Sequence, residues 1–299
     1  MQNVRLGVIG GTGLGEKLAA RPGVEKLFVD TPFGPPSGPI FVGDWHGRRV
    51  AFLNRHGEGH IHPPSAVPYR ANIFALKKLG VTHILASGAV GSLREEIAPG
   101  HLVVCDQVID KTHKRASTFF EDGIAVHAEL AEPFCPVLRQ VLLDCADAAA
   151  TTVHRRGTYV VMEGPQFSTR AESLMHRQWG GDLIGMTCMP EAKLAREAEI
   201  AYALVALSTD YDCWREPEHV LDKQALLAEI IGNLQRATEQ ATLLIDAAVK
   251  RLAGGPLPES PAHRALELGI WSHKQSVAPD IVQRLEPLVG RYFREAAKG

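Results

Sequence analysis

The sequence has few cysteines, no long apolar run and almost no net charge. Five of its 299 residues are cysteine, and none belongs to a C-x-x-C pair. This disfavours a disulfide framework and a thiolate zinc site and is typical of a reducing compartment. No segment has the ~18 consecutive apolar residues of a membrane span, and the N-terminus lacks the pattern of a signal peptide. These absences predict a cytoplasmic protein with no membrane partner.

The charge balance disfavours a second class of partner. Lysine and arginine total 32, aspartate and glutamate total 34, and the formal net charge is −2. A chain without a basic excess has no general attraction for nucleic acid, so we expect none as a partner. The composition, 45% hydrophobic and 22% charged, is that of a globular protein with a substantial buried core.

Short apolar runs alternate with segments of helical periodicity along most of the chain. The runs contain valine, isoleucine and leucine without polar alternation, as in strands buried on both faces of a sheet. They are residues 5–9, 48–53, 82–87, 101–109, 158–162, 182–186 and 201–207. The helical segments are 69–79, 167–179, 190–200 and 221–252, the last as one helix or two in line. We predict a single α/β domain over residues 1–253, with a mixed, largely parallel central sheet flanked by helices.

The C-terminal part of the chain has a different composition. Residues 254–261 have the glycine, proline and serine content of a linker. The 38 residues that follow carry enough apolar side chains to pack as short helices, but too few to bury a core of their own. We predict that residues 254–299 are a linker and a C-terminal helical extension, packed on the main domain or on a neighbouring subunit.

Polar and glycine-rich segments follow several predicted strands. In open parallel sheets ligands bind outside the carboxyl ends of the strands, so these segments can converge on one cleft. In the loop at residues 10–13, the backbone N–H groups of Gly11 and Thr12 can surround an anion. A second loop holds Arg55, whose guanidinium presents a planar fork to phosphate oxygens, and His56, whose imidazole can donate a hydrogen bond beside it.

Both loops have other interpretations. The first is compatible with a plain tight turn or, with Asp30 as a ribose-binding acid, with a dinucleotide site, although its glycines depart from G-x-G-x-x-G. The second contains the Arg-His-Gly sequence that also occurs in histidine phosphatases. Its side chains are those of a possible metal site (His56, Glu58, His60 and His62), but such groups on a polar loop are more often solvated. We predict no metal site.

Two carboxylates, Asp210 and Asp212, follow a predicted strand. Residues i and i+2 share one side of a strand, so both can act on one chemical group. Burial and mutual repulsion would raise the pKa of at least one and make it a proton donor at neutral pH, unless the loop is simply exposed. Phe167, between a strand and a helix, is placed either to stack on a planar ring or to pack in the core.

Taken in order, these motifs resemble the trimeric-type purine nucleoside phosphorylases of the nucleoside phosphorylase superfamily, and most closely those acting on 5'-methylthioadenosine. The resemblance covers residues 4–252. It is carried by IGGTGL (9–14), NRHGEGHIHPP (54–64), YRANIFALKKLG (69–80), GAVGSLREEIAPG (88–100), AEPFCP (131–136), EGPQFSTRAES (163–173), GMTCMPEAKLAREAEIAYA (185–203) and STDYDCW (208–214).

The resemblance implies phosphorolysis of 5'-methylthioadenosine to adenine and 5-methylthioribose 1-phosphate, as part of purine and methionine salvage. It implies a homotrimer that uses inorganic phosphate as co-substrate and no metal or organic cofactor. Adenosine or a 6-oxopurine nucleoside is the alternative main substrate, although relatives taking 6-oxopurines have asparagine in place of Asp210. A non-catalytic purine-binding homologue is a further alternative, because Gly88 stands where relatives usually have serine or threonine.

The resemblance also assigns roles to individual residues. The phosphate-binding residues would be Gly11, Thr12, Arg55, His56, Ala89 through its backbone, and Thr187. Met186 would contact the ribose and Phe167 the base, while Asp210 would protonate or hydrogen-bond purine N7 and Asp212 would accept from the 6-amino group. His127 would reach the neighbouring subunit's site, and Leu226 and Leu227 would line the pocket for the 5' substituent.

Overall fold

The structure is a computed structural model that describes residues 4–10, 23–215 and 223–296, with the backbone alone at positions 223, 226, 295 and 296. The described strands are β1 (Leu6–Gly10), β2 (Glu25–Leu27), β3 (Ile40–Trp45), β4 (Arg48–Asn54), β5 (His83–Ser92), β6 (Leu102–Val104), β7 (Gln107–Asp110), β8 (Val153–His154), β9 (Thr158–Val161), β10 (Leu183–Gly185) and β11 (Ala201–Asp210). The described α-helices are α1 (Tyr69–Lys78), α2 (Pro136–Asp144), α3 (Arg170–Gln178), α4 (Glu191–Glu197), α5 (Lys223–Ala253), α6 (Pro279–Arg284) and α7 (Glu286–Ala296).

All described strands belong to one branched sheet. Its main path is β2-β3-β4-β1-β5-β10-β9-β7, and β11 joins β5 to β6, which in turn pairs with β8. Strands β1, β4, β5 and β11 are mutually parallel where they pair, whereas β2/β3, β3/β4, β5/β10 and β6/β11 are antiparallel pairs. The predicted α/β fold with a mixed, largely parallel sheet is confirmed.

The predicted elements differ from the structure at three kinds of position. The run at 101–109 is two strands, because β6 pairs with β8 and β11 whereas β7 pairs with β9. The helix expected from residue 167 starts at Arg170, because Thr169 caps it: its hydroxyl accepts from the Glu172 N–H at 3.2 Å. Strands β2, β3 and β8 and helix α2 were not predicted.

Hydrophobic side chains form two main clusters, one on each face of the sheet. Successive side chains of β1 point to opposite faces of the sheet, so Val8 belongs to one cluster and Ile9 to the other. Helices α1 and α4 cover the face that includes Ile9, and α2 and α5 cover the face that includes Val8. Within the described residues the segment predicted over 221–252 is one helix, α5. None of the described helices is long and apolar enough to cross a membrane.

The C-terminal extension packs on the same chain. Leu266 and Leu285 are fully buried and belong to the cluster that also contains helix α1. The buried Glu199 carboxylate accepts hydrogen bonds from Arg291 (2.7 Å), the Tyr292 hydroxyl (2.6 Å) and the backbone of Leu266 (3.1 Å). Residues after 253 therefore share the hydrophobic core of the preceding α/β domain, and they contain the short helices that the sequence predicted.

Candidate active site

A cavity of about 540 Å³ lies where the chain leaves β4, β10 and β11 and passes the middle of β5. Strands β4 and β11 run in the same direction as β1 and β5, so their carboxyl ends meet as predicted. Strand β10 runs antiparallel to β5, so its carboxyl end returns alongside β5. A Cβ on Gly88 would lie 3.4 Å from Thr187 Oγ1. One strand thus contributes to the site from the opposite direction.

Eight of the predicted site residues line this one cavity: Arg55, His56, Ala89, Phe167, Met186, Thr187, Asp210 and Asp212. Gly11, Thr12 and the side chain of Leu226 lie outside the described residues. Leu227 is exposed and does not line the cavity, and α5 contributes Ile230 and Leu234 there instead. His127 lies away from the cavity of its own chain and packs edge-on against Trp271, with 4.7 Å between ring centroids. The roles assigned to these five residues stay predictions.

Arg55 is held by the protein at one edge of its guanidinium. Its Nε and Nη2 donate to the two carboxylate oxygens of Glu191, each at 2.7 Å, and Nη1 donates to the Ser87 carbonyl at 2.8 Å. Burial opposes the charge, but Glu191 keeps the pKa of Arg55 above its ordinary value, so Arg55 is a cation. Three of its five N–H groups are used in these bonds, which leaves two for a ligand.

His56 presents a hydrogen-bond acceptor at neutral pH. Its Nδ1 lies 2.8 Å from the His62 carbonyl oxygen. Because a carbonyl can only accept, the ring hydrogen is on Nδ1, and Nε2 of the neutral ring accepts. Burial and the nearby charge of Arg55 lower the pKa of His56 to about 4. His60 stacks on this ring at 4.1 Å; among the described residues no group of three His, Cys, Asp or Glu side chains is arranged to hold a metal ion.

Asp210 and Asp212 meet at the cavity by a turn. Asp210 ends β11, and Asp212 lies beyond the strand with a left-handed φ of 50°, so alternation along a strand is not what brings the two together. Both Asp210 oxygens accept hydrogen bonds, Oδ1 from the Thr209 hydroxyl at 2.6 Å and Oδ2 from the Asp212 N–H at 2.9 Å. Among the described residues, the buried Oδ2 of Asp212 has no hydrogen-bond partner.

The two carboxylates therefore differ in environment. Burial, and to a smaller degree the charge of Asp210, raises the pKa of Asp212. An unpartnered buried carboxylate oxygen costs free energy, so a proton or an amino group of a ligand would stabilise the Asp212 side chain. Asn233 of α5 donates to the Thr209 carbonyl at 2.8 Å and ties this corner to the helix.

The rest of the cavity wall is apolar. Phe167 is 83% exposed while lining the cavity, so it is available to a planar ring and is not packed in the core. Met186, Ile184, Leu207 and side chains of α5 also line the cavity. The cavity therefore joins a cationic end at Arg55, a carboxylate pair and an apolar surface.

Three charged residues that support this cavity were not singled out in the sequence. Glu191 is fully buried in the first turn of α4, and the other charged residues of that helix, Lys193, Arg196 and Glu197, left no sequence signal that set it apart. Arg115 binds the backbone behind Met186, and Glu163 pairs with Arg115 at 3.2 Å. Arg115 lies in the sequence KTHKR, which is typical of a solvated loop, so no local signal existed for it.

Known proteins resemble this chain over almost its entire length. The model of a family described as the phosphorylase superfamily matches residues 5–250. The chain belongs to the phosphorylase superfamily. An S-methyl-5'-thioadenosine phosphorylase from Synechocystis sp. is 48% identical over 299 residues, which cover 99% of this chain and 90% of the relative. A protein of the same name from Thermosynechococcus vestitus is 48% identical over 97% of this chain and 99% of its own length.

Solved structures of superfamily members share the fold. A methylthioadenosine phosphorylase from an antarctic soil metagenomic library superposes with a TM-score of 0.89 at 44% identity, over 96% of this chain and 99% of that one. A mutant adenosine/methylthioadenosine phosphorylase from Schistosoma mansoni, in complex with adenine, gives 0.76 at 38% identity, over 84% and 91%. The similarity therefore extends beyond residue 252 into the C-terminal extension, which the sequence motifs did not align.

Proposed function

We propose that this chain catalyses the phosphorolysis of 5'-methylthioadenosine to adenine and 5-methylthioribose 1-phosphate, a pentosyltransferase reaction of purine and methionine salvage. The observation that carries the proposal is the single cavity that joins Arg55 and His56 to the Asp210–Asp212 pair. A phosphorylase needs an anion site on one side of the sugar and, on the other side, a group that contacts the leaving purine. The curated relatives, which match nearly the whole chain under that name, support the proposal.

At the anion end, Arg55 uses its two remaining N–H groups to hold inorganic phosphate, together with Thr187 and the Ala89 backbone. His56 Nε2 accepts a hydrogen bond from the hydroxyl of hydrogen phosphate, because its own ring hydrogen is engaged by His62. The glycine loop with Gly11 and Thr12 completes the cradle. Phosphate is then both the nucleophile held next to C1' and a negative charge that stabilises the oxocarbenium-like sugar. No metal or organic cofactor is required.

At the base end, Asp210 hydrogen-bonds or protonates purine N7, and Asp212 accepts from the 6-amino group. A positioned acid of this kind contributes ~10²–10⁴-fold by neutralising the departing purine anion. A carboxylate that accepts from an amino group repels a 6-oxo group, and a buried site left unsatisfied discriminates by ~10⁴-fold or more. We therefore propose adenine as the base.

The sugar and its 5' substituent would lie along the apolar wall. Met186 contacts the ribose, Phe167 flanks the base, and the first turns of α5, with Leu226 and Leu227, form the 5' pocket beside Ile230 and Leu234. We propose a homotrimer in which His127 completes the neighbouring subunit's pocket. Adenosine is a second candidate substrate, because the Schistosoma mansoni relative is described as an adenosine/methylthioadenosine phosphorylase. A cytoplasmic location fits the five free thiols.

The test is an assay of methylthioadenosine, adenosine, methylthioinosine and inosine side by side, with and without phosphate. Phosphate-dependent release of adenine, fastest from methylthioadenosine, is expected. Release at an equal rate without phosphate would indicate a hydrolase, and binding of adenine without turnover would indicate a non-catalytic binder. A phosphohistidine at His56, trapped from a phosphomonoester, would support the phosphatase alternative and contradict the proposal.

A further inference from the structure

Arg115 is a buried guanidinium whose donors all meet the loops behind the cavity. Its side chain is 1% exposed. Nη1 donates to the carbonyls of Met186 (2.5 Å) and Met189 (2.6 Å), and Nη2 donates to the carbonyl of Glu163 (2.8 Å). Nε donates to the Glu163 carboxylate at 3.2 Å. Longer contacts reach the Met162 carbonyl (3.4 Å) and the Tyr69 hydroxyl (3.3 Å).

The Glu163 carboxylate gathers further donors around the same point. Its Oε2 accepts from the backbone N–H groups of His113 (2.7 Å) and Lys114 (3.1 Å), and its Oε1 accepts from the Ser65 hydroxyl. Burial alone would raise the pKa of Glu163, but these hydrogen bonds and the charge of Arg115 lower it to about 2. The Glu163 carboxylate is therefore ionised at neutral pH, and its pair with Arg115 joins four separate segments of the chain.

Two of those segments carry the ligand-facing side chains of the cavity. The loop after β10 contains Met186 and Thr187, which flank one planar peptide, and Arg115 holds the carbonyl oxygen of that peptide. The loop after β9 begins with Met162 and Glu163 and leads to Phe167. One guanidinium thus fixes the positions of both loops relative to each other.

We propose that Arg115 is a positioning residue that keeps two loops in register. One is the loop after β10, which carries Met186 and Thr187, and the other is the loop after β9, which leads to Phe167. This inference rests on the proposed function, in which Thr187 contacts phosphate, Met186 the ribose and Phe167 the base. Attack on C1' depends on the distance and angle between phosphate and sugar, and a displacement of ~1 Å far from the chemistry can cost ~10²-fold in rate. Each half-site can still bind its own ligand when the two loops lose register. Loss of Arg115 therefore lowers kcat more than it weakens the binding of either ligand.

Only arginine has the donor geometry for this role. A lysine ammonium has three donors at one point and cannot reach acceptors spread over two loops in the plane of a guanidinium. The chain offers a matched control in Arg196, which is 5% exposed, binds the Glu129 carboxylate and the Glu132 carbonyl, and does not line the cavity. Arg115→Lys and Arg196→Lys are thus equivalent changes to a buried arginine that differ in their relation to the site.

The experiment measures kcat per folded enzyme for wild type, Arg115→Lys, Arg115→Ala and Arg196→Lys, with adenine and phosphate affinities from calorimetry. We expect kcat to fall about 10²-fold in Arg115→Lys, with both affinities within a few fold of wild type, and Arg196→Lys to keep the wild-type kcat. Millimolar guanidinium is expected to restore part of kcat in Arg115→Ala. Hydrogen exchange should become faster in segments 162–168 and 186–189 of Arg115→Lys.

Two results would overturn the inference. One is a normal kcat in the folded fraction of Arg115→Lys with only a lowered melting temperature, which is the signature of a purely structural role. The other is an equal fall of kcat in Arg196→Lys. If wild type shows no phosphorolysis, the proposed function fails. The inference is then decided by exchange in the two segments, where wild-type exchange in Arg115→Lys would contradict it.

Discussion

The Arg55 guanidinium and the Glu191 carboxylate form a bidentate pair, with both N–O distances 2.7 Å and both side chains 1% exposed. The Tyr202 hydroxyl donates to the same carboxylate at 2.7 Å. Arg55 lines the cavity, and two of its five N–H groups are not used in these bonds and the bond to the Ser87 carbonyl. Because its charge partner is this buried carboxylate, we expect the orientation of Arg55 to depend on Glu191.

Replacing Glu191 tests this dependence. Glu191→Gln leaves the buried cation without its counter-charge, which typically costs roughly 3–5 kcal/mol of stability. We expect KM for phosphate to rise more than KM for the nucleoside. Tyr202→Phe is the matched control, because it removes one hydrogen bond worth ~1 kcal/mol and leaves the charge pair intact. Urea unfolding and steady-state kinetics measure both effects; an unchanged phosphate KM in a folded Glu191→Gln would show that Arg55 is oriented by other contacts.

Replacing Asp210 is expected to cause a large loss of turnover. Asp210→Ala removes the group proposed to meet purine N7, and we expect kcat on methylthioadenosine to fall by ~10²–10⁴-fold while the fold and the assembly state remain those of wild type. Size-exclusion chromatography and circular dichroism provide the control for assembly and folding. Near-normal activity of this variant would remove Asp210 from its proposed role.

We predict that the ionised Asp212 side chain lowers the stability of the folded protein at neutral pH. Burial raises its folded-state pKa above the unfolded value, so ionisation disfavours the folded state. This cost is absent below the unfolded pKa and grows as pH rises through it. Asp212→Asn should therefore be more stable than wild type at pH 7, with a smaller difference at acidic pH and with lower turnover. Thermal melts from pH 4 to 8 measure the difference, and a variant less stable than wild type at pH 7 would contradict the assignment.

We predict that the imidazole of His56 stays neutral at pH values well below its ordinary pKa of 6.5. Its pKa is lowered to about 4 from 6.5, so unfolded chains bind more protons between these values and stability falls as pH drops through this window. In phosphate-free buffer, wild type should lose roughly 3 kcal/mol more than His56→Gln between pH 7 and pH 4. Nitrogen NMR should show the Nδ1–H tautomer at pH 7. Added phosphate should raise the His56 pKa, since a bound dianion favours the imidazolium.

Gly88 is a position where a hydroxyl can be added. A Cβ there would lie 3.4 Å from Thr187 Oγ1, which is ordinary van der Waals contact, and among the described residues other than its chain neighbours no further heavy atom is within 4 Å. A serine hydroxyl beside Thr187 supplies another donor to phosphate, worth ~0.5–1.5 kcal/mol. We expect Gly88→Ser to lower KM for phosphate about 2–10-fold, which is that energy expressed as a ratio, with Gly88→Ala as the control for steric effects. An equal change in both variants would exclude the hydroxyl as the cause.

Much of the site was predictable because its chemistry is local in sequence. Arg55 and His56 follow β4 directly, Met186 and Thr187 follow β10, and Asp210 ends β11. Strand ends that carry polar residues are recognisable from composition, and parallel pairing brings most of them to one edge of the sheet. The motifs around them also identify the superfamily from sequence alone.

The support behind the site was not predictable, because it depends on pairs far apart in the chain. Arg55 and Glu191 are 136 positions apart, and the Arg115 contacts with Met186 and Glu163 span 71 and 48 positions. A charged residue in a segment such as KTHKR is indistinguishable from a solvated one until its acceptors are placed. The antiparallel direction of β10 was likewise not predictable from the sequence, because a three-residue strand carries no signal of its pairing partner.

By itself, the amino-acid sequence determined the alternation of strands and helices, the superfamily and most of the residue types that line the cavity, because these follow from local periodicity and from motifs in a characteristic order. Tertiary structure alone decided which nitrogen of His56 carries hydrogen, which oxygen of the aspartate pair is buried without a partner among the described residues, and how Arg55 and Arg115 are held. The physical reason is that hydrogen-bond direction, burial and pKa depend on neighbours that only the folded chain brings together.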